Sequence, residues 1–394
     1  MSARRYRVAV VGFGIAGAAT AVFLARSGHA VTLLERAKHV GPVGAGLLLQ
    51  PAGQAVLRQM GLLDAILVGG AAIEELHAVR KDAGTLVRLR YREFDAGLCA
   101  YGVHRGALFT ALAQAVHAEK VEVRLGREVT GLAAHKDGTC LTDGDGSEHG
   151  PFDVVVAADG SRSAMRSLAH LPHRVLPYDH GALWITGPCT AIRDKLYQVC
   201  RGTRYLLGIL PIGGGRCSLY WGVPCRELDS LRAGGMAAFK KELSAFCPES
   251  GELLDPLTDF GQLVFTTYRH VWMPRWHAGR VIVIGDAAHA TSPHLGQGGS
   301  LALLDAWVLA DCLDHFPDPA SAFRAYAHRR AAHIRYYNSL TFLLSPFFQG
   351  DGWLKGAWRD ISLPLMPRLP WIRRQMLMTM CGLKGGWLRG RLDI

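Results

Sequence analysis

A strand, a glycine-rich turn and a helix of small residues open this chain and constrain its fold more than any other feature. Arg7 to Val11 is an apolar, β-branched run of the kind buried in a parallel sheet. Gly12-Phe13-Gly14-Ile15-Ala16-Gly17 follows at once, and Ala16 to Ser27 then carries a small-residue helical pattern that Gly28 closes. Ala30 to Leu34 is a second buried strand, ending in Glu35. Each part has a physical task. Gly12 permits a tight turn, Gly14 lets the backbone approach a pyrophosphate, and Gly17 lets the helix pack close to the strand. The helix start at Ala16 offers free N–H groups and a positive dipole end to phosphates. Glu35 can accept from a ribose hydroxyl, and an acid there disfavours a 2′-phosphate. The pocket therefore suits NAD or FAD rather than NADP.

Two further stretches end on a similar ligand edge. Asp153 to Ala158 is a buried strand that delivers Asp159-Gly160, with Arg162 and Arg166 nearby. Val281 to Ile284 is another, ending in Gly285-Asp286. Asp286 can hydrogen-bond a ribityl or ribose hydroxyl. Pro293 then interrupts, and Gly296-Gln297-Gly298-Gly299 forms a side-chain-poor loop. Ser300 is placed to N-cap the apolar helix that runs to about Leu313. The start of that helix presents N–H donors that would stabilise an anion forming on the edge of a bound ring.

In this order the stretches resemble class A flavoprotein monooxygenases, the aromatic-hydroxylase group that includes ubiquinone-pathway hydroxylases. The Glu35-Arg36 pair, Gly44-Ala45-Gly46-Leu47 and His104-Arg105-Gly106-Ala107-Leu108 also fit that family's pattern, and the similarity extends to about Arg330. The resemblance implies FAD as cofactor and NADH or NADPH as a transient reductant. Glu35 would hold the adenosine ribose with Arg36 beside it, Arg105 would sit near the pyrophosphate or ribityl chain, and Val129 would lie by the adenine. Asp286 would bind the ribityl chain, Pro293 would lie over the reactive face of the ring, and Gly298 and Gly299 would donate N–H to its edge. Ser300 stands where many members have Asn, and Leu304-Asp305 replaces a common Glu-Asp.

The reaction implied is hydroxylation of an electron-rich, aromatic substrate, through O2 and a flavin C4a-hydroperoxide. A halogenase or an isoprenoid reductase of the same fold is an alternative, and so is a flavin-free binding module. The halogenase stretch Trp-x-Trp-x-Ile-Pro is missing, and intact glycines, Glu35 and Asp286 argue against loss of flavin. His289 reads as a structural histidine rather than a base, since it falls inside the third stretch.

The expected architecture is α/β. A Rossmann-like FAD domain assembled from 1–75, 105–175 and 271–330 interleaves with an antiparallel substrate sheet from 76–104 and 176–270, and a helical lid follows over 331–394. Ala182–Thr186, Tyr205–Leu210 and Cys217–Val223 are strand candidates, with Pro211 and Gly213-Gly214-Gly215 turning between the last two. Tyr220 and Trp221 point to opposite faces. Tyr220 is the candidate substrate contact at the domain interface, and Trp221 the packing residue.

Of the nine cysteines none forms C-x-x-C, and free thiols in a reducing cytoplasm are the simplest reading. No zinc or other metal site is expected. The start of the chain is polar and basic, unlike a signal peptide, and no apolar run reaches spanning length. The net charge of +11 comes with no nucleic-acid motif. From Asp351 onward eight Lys/Arg face three Asp, interleaved with Trp353, Trp358, Trp371 and Trp387. Such a segment fits a helical lid with buried tryptophans, which is favoured, or a peripheral membrane or protein contact. Partners expected are O2 and a small aromatic molecule, or an aromatic group on a peptide or carrier.

Overall fold

The computed structural model describes residues 5–41 and 44–392. The first four residues of the basic start and Asp393 of the tail lie outside them. One sheet has the strand order His277–Ala278, Val281–Val283, Val154–Ala157, Arg7–Val11, Ala30–Glu35, Glu122–Leu125. Every neighbouring pair is parallel except the His277–Ala278 edge. Val154–Ala157 and Val281–Val283 are buried along their whole length, as strands covered on both faces must be. Helix Ile15–Arg26 packs on one side against helices Arg105–Ala118 and Gly298–His315. Its buried residues include Ala16, Gly17, Ala18, Ala19 and Ala21, and this lack of bulk lets it approach its neighbours. A three-stranded antiparallel sheet (Val129–His135, Gly138–Asp143, Glu148–Phe152) lies beside the parallel strands.

The second sheet has seven strands, ordered Val264–Trp272, Arg174–Pro188, Arg216–Pro224, Tyr205–Gly213, Lys195–Arg201, Glu75–Arg80, Gly84–Arg90. It is antiparallel apart from Glu75–Arg80 with Lys195–Arg201, which run parallel. Alternation splits its side chains between two cores. Leu207, Ile209, Leu219 and Trp221 face backward onto Phe239, Leu243 and Phe246 of helix Gly235–Phe246. Leu206, Leu210 and Ile212 face forward and join the core of the first layer.

Two local expectations change. Pro211 sits inside strand Tyr205–Gly213, paired with Cys217, rather than in the turn. It lies beyond the last residue paired with Lys195–Arg201, so its missing N–H removes no ladder bond on that side. The turn itself is Gly214-Gly215, both with positive φ. The change at residue 331 falls within one continuous helix, Pro319–Phe348.

Helices Trp353–Leu365 and Pro370–Met380 complete the tail. The expectation of buried tryptophans is overturned. Trp353 is 78% exposed, Trp358 61% and Trp371 72%, and Trp387 is also exposed while resting edge-on against Tyr336. The reason is that helix Trp353–Leu365 turns Gly356 and Arg359 inward. Arg359 is held there by the carbonyls of Gly202 and Phe347, each at 2.8 Å.

Candidate active site

The first glycine stretch has the close approaches its residue types require. Gly12 has φ +105°, and a Cβ there would sit 2.4 Å from the Ala158 carbonyl oxygen. A Cβ on Gly17 would lie 1.9 Å from the Gly12 oxygen. At Gly14, by contrast, a Cβ would meet nothing within 4 Å, so this side of the turn is open to a ligand. Gly14 caps helix Ile15–Arg26 without any side-chain bond, which leaves the first N–H groups for a phosphate. Glu35 accepts from the Phe13 N–H at 2.7 Å and the Ala37 N–H at 2.8 Å. It braces the turn and keeps oxygen lone pairs for a hydroxyl. Arg36 beside it is exposed. Arg127 donates its N–H to the Glu35 carbonyl at 2.8 Å, which brings buried Val129 close to the same strand end.

The second and third stretches meet the first. Ala158, next to Asp159, is the residue against which Gly12 packs. Asp159 Oδ2 accepts from the Met165 N–H at 3.2 Å, while its Oδ1 is buried without a protein partner. Gly160 has φ +79° and open space on its Cβ side. Arg166 donates to the Ser161 carbonyl at 2.9 Å and the Ala287 carbonyl at 2.6 Å, tying the second stretch to the third. Burial lowers its pKa, with Asp159 opposing. A Cβ on Gly285 would lie 2.8 Å from that of Ala16. Asp286 Oδ1 lies 3.9 Å from the corresponding position on Gly298. Gly299 packs against Leu47 and Ile15, and Gly296 against Leu48. Arg105, exposed at the head of its helix, lies with its Cδ 3.0 Å from the Cβ position of Gly44. Gly46 donates to Ser218 Oγ at 2.9 Å and so joins this layer to the second sheet.

An orphaned carboxylate oxygen, two open glycine faces and an uncapped helix start all fit an FAD. Ser300 is corrected as a cap. The helix begins at Gly298 with Gln297 at its N-cap and no side-chain cap bond. Ser300 is thus in the first turn, and its buried hydroxyl lies 2.7 Å from where a Cβ on Gly53 would sit.

Asp305 is the residue that sequence reasoning undervalued. It is fully buried, and it accepts from Gly285 N–H at 2.9 Å, His289 Nε2 at 2.6 Å and Arg330 Nε at 2.9 Å. Burial works to raise its pKa, but His289 and Arg330 hold it well below the usual carboxylate range. His289 is thereby committed to the core.

On the second sheet Trp221 is buried to the rear, stacked 5.6 Å from Tyr205. Tyr220 faces forward. Its hydroxyl accepts from Gln349 Nε2 at 2.7 Å, and its ring stands edge-on to Trp184 at 5.1 Å. Burial raises its pKa. Pro293 opens a short turn, Pro293–Leu295, that carries an unforeseen residue, His294. Its Nδ1 lies 2.6 Å from Ser292 Oγ, which lies 2.8 Å from Ser345 Oγ, and Ser345 donates to the Thr341 carbonyl at 2.7 Å. With Ser345 donating to that carbonyl, the tautomer that carries its proton on His294 Nδ1 satisfies this chain and leaves Nε2 as the acceptor. That Nε2 is buried with no protein partner, as is Nε2 of His180. Adjacency to Pro293 was the sequence signal for His294. His180 had none, because closure of the sheet brings it near.

All nine cysteines are free. On the small sheet His135, Cys140 and Glu148 place ligand atoms within 4.8 Å of one another, a cluster that sequence spacing did not reveal. Two of its three members are exposed, and nothing further marks a metal centre there.

The fold and the three converging stretches define a flavoprotein with an FAD-binding domain of the glycine-turn type. The family described as FAD binding domain matches residues 5–337, and the chain belongs to it. Among its relatives is 3-amino-4-hydroxybenzoate 2-monooxygenase from Streptomyces cremeus, 30% identical over 84% of this chain and 87% of that protein. Aurachin C monooxygenase/isomerase from Stigmatella aurantiaca is 28% identical over 81% and 83%. An HpxO variant of Klebsiella pneumoniae solved with FAD superposes with a TM-score of 0.82, at 23% identity, over 98% of this chain and all of its own. The protein is a flavoprotein monooxygenase that uses FAD. Among the described residues no helix is long and apolar enough to cross a membrane.

Proposed function

We propose that this monooxygenase hydroxylates a small, electron-rich aromatic ring bearing an ionisable hydroxyl, seated between Tyr220 and the turn Pro293–Leu295. The observation that carries this reading is the bare, buried Nε2 of His294. Burial pushes the His294 pKa down to about 4, so the imidazole is neutral at physiological pH. Its Nδ1–H would be engaged by Ser292, and Nε2 would accept a hydrogen bond from a ring hydroxyl. Polarising that O–H raises electron density on the ring where oxygen must add.

When bound, FAD would supply the chemistry that activates O2, with NAD(P)H as the source of electrons. Gly12–Gly17, Glu35, Arg105, Val129, Asp159 and Asp286 would hold it, and Gly298 and Gly299 would meet the ring edge with backbone N–H groups. Tyr220, Trp184 and Phe348 supply apolar walls that keep water from the reacting atoms. Relatives support the substrate class, because 3-amino-4-hydroxybenzoate 2-monooxygenase and 6-hydroxynicotinate 3-monooxygenase act on small rings carrying a hydroxyl. An aromatic group carried on a peptide or carrier is the alternative substrate.

The test is NAD(P)H oxidation with a panel of hydroxylated and unsubstituted aromatic acids, read by mass spectrometry. Gain of one oxygen on hydroxyl-bearing rings alone supports the assignment. Release of H2O2 with no product from any of them refutes it.

A further inference from the structure

We propose that the outward face of helix Trp353–Leu365, continued by Leu369 and Trp371, docks on an anionic lipid bilayer. The helix is amphipathic with its polarity reversed relative to the core. Trp353, Leu354, Trp358, Ile361 and Leu365 are all exposed, whereas Gly356 and Arg359 are the buried residues. At about 100° per residue those five side chains share one arc of roughly 140°, and no charged residue falls within it. The inward face is fixed. Gly356 lies against Thr203, where a Cβ would be 3.3 Å from the threonine methyl, and Arg359 bonds Gly202, Phe347 and Asp360. Turning the apolar arc inward would break all of these contacts. A stable helix thus holds apolar side chains in water that nothing in the described chain covers.

The chemistry of the arc and its rim selects the partner. Tryptophans stand at both edges of the arc, and an indole joins an apolar body to one N–H donor, which suits the boundary between headgroups and acyl chains. Lys355 flanks the arc, Arg368 is exposed just beyond it, and Arg374 lies one turn past Trp371. The one carboxylate on the helix, Asp360, lies about 20° beyond the Trp353 edge of the arc, where Arg359 neutralises it. From Asp351 to the end the sequence carries eight Lys/Arg against three Asp, within a chain of net charge +11. A second copy of this chain would bring the same positive rim, which repels, and an anionic bilayer brings the opposite sign. With no spanning helix among the described residues, the helix would lie in the plane of the interface.

The test uses the full-length, FAD-loaded protein and vesicles of phosphatidylcholine with or without phosphatidylglycerol. Co-sedimentation with phosphatidylglycerol vesicles should exceed that with phosphatidylcholine alone by about tenfold at low salt, and fall as salt rises. Tryptophan emission should shift to the blue on binding. The triple variant Trp353→Ser, Trp358→Ser, Ile361→Ser should lose about tenfold or more of this partitioning. Its melting temperature and its NAD(P)H oxidation in solution should be unchanged, because these positions are exposed and lie outside the FAD and substrate sites. Equal binding by wild type and triple variant overturns the proposal, and so does no sedimentation of wild type at low salt. Self-association abolished by the triple variant, without vesicle binding, would assign the face to a second copy, and capture of an acidic protein without vesicle binding would assign it to that class. Either result also overturns it.

Discussion

Gly285 donates its backbone N–H to Asp305 Oδ2 at 2.9 Å, so the glycine that opens the third cofactor stretch is pinned by a carboxylate on the following long helix. The same carboxylate holds His289 and Arg330. Gly285 has φ +58° and packs on Ala16, which makes this one carboxylate the point where the two glycine stretches are fixed together.

Removal of that carboxylate should be costly. Asp305 and Arg330 are both buried, and Asp305→Ala leaves the guanidinium without its charge partner. The expected loss is about 3–5 kcal/mol of stability. Asp305→Asn keeps a hydrogen-bond acceptor and should lose less. Urea denaturation of the two variants, with retained FAD measured by absorbance, checks both the order and the size.

Gly14 and Gly17 should respond oppositely to one added methyl group. At Gly14 a Cβ meets nothing within 4 Å, so Gly14→Ala should fold with a wild-type melting temperature. It should bind FAD at least about tenfold more weakly, because the methyl intrudes where the pyrophosphate approaches. At Gly17 the Cβ would lie 1.9 Å from the Gly12 oxygen, so Gly17→Ala should lose about 1–3 kcal/mol or more before any cofactor is added. Apo-protein melting and flavin fluorescence titration separate the two effects. Equal melting temperatures for both variants would contradict this account.

Stability should fall as the medium turns mildly acidic. Burial pushes His270 and His294 down to about 4, and burial with Arg330 pushes His333 down to about 3. Between there and the ordinary histidine value near 6.5, the folded chain binds fewer protons than the unfolded chain. The sign follows: stability is complete above about pH 6.5 and is lost as pH drops toward about 4. At these shifts each histidine contributes on the order of 3–5 kcal/mol. The lowered carboxylates Asp143 and Asp305 lose their contributions only at still lower pH, so histidines govern this window. Urea midpoints across about pH 5 to 8 test it, and a flat profile would show these rings charged when folded.

What the sequence disclosed, and what it hid, follows from the range of the interactions. The turn Gly12–Gly17 and the strand ending in Glu35 were legible because their demands are local: a positive φ, a close approach, a terminal acid. Ser300 was misplaced as a cap because helix onset was decided by Gly298 packing toward Asp286 and Gly299 against Leu47, contacts distant in sequence. Asp305 drew no role from the sequence, since a lone acid on an apolar helix does not announce that Gly285, His289 and Arg330 will close on it. The tail misled for a different reason. Periodicity shows that a helix has two faces but not which one turns inward, and here Arg359 found two backbone carbonyls to satisfy it while the tryptophans stayed outside.

His294 should separate cofactor chemistry from substrate chemistry. Its ring follows Pro293 and sends Nδ1 to Ser292, so the FAD contacts proposed for the glycine stretches do not depend on it. His294→Ala should retain FAD and oxidise NAD(P)H, yet form hydroxylated product about 10²-fold more slowly, with the missing turnover appearing as H2O2. Ser292→Ala leaves the imidazole but frees its tautomer, and a smaller loss of about tenfold is expected. The dependence of kcat/KM on pH should show no histidine step near 6.5, because the free enzyme keeps this base neutral until about pH 4. A His294→Ala variant that couples NAD(P)H oxidation to product as tightly as wild type would remove His294 from the reaction.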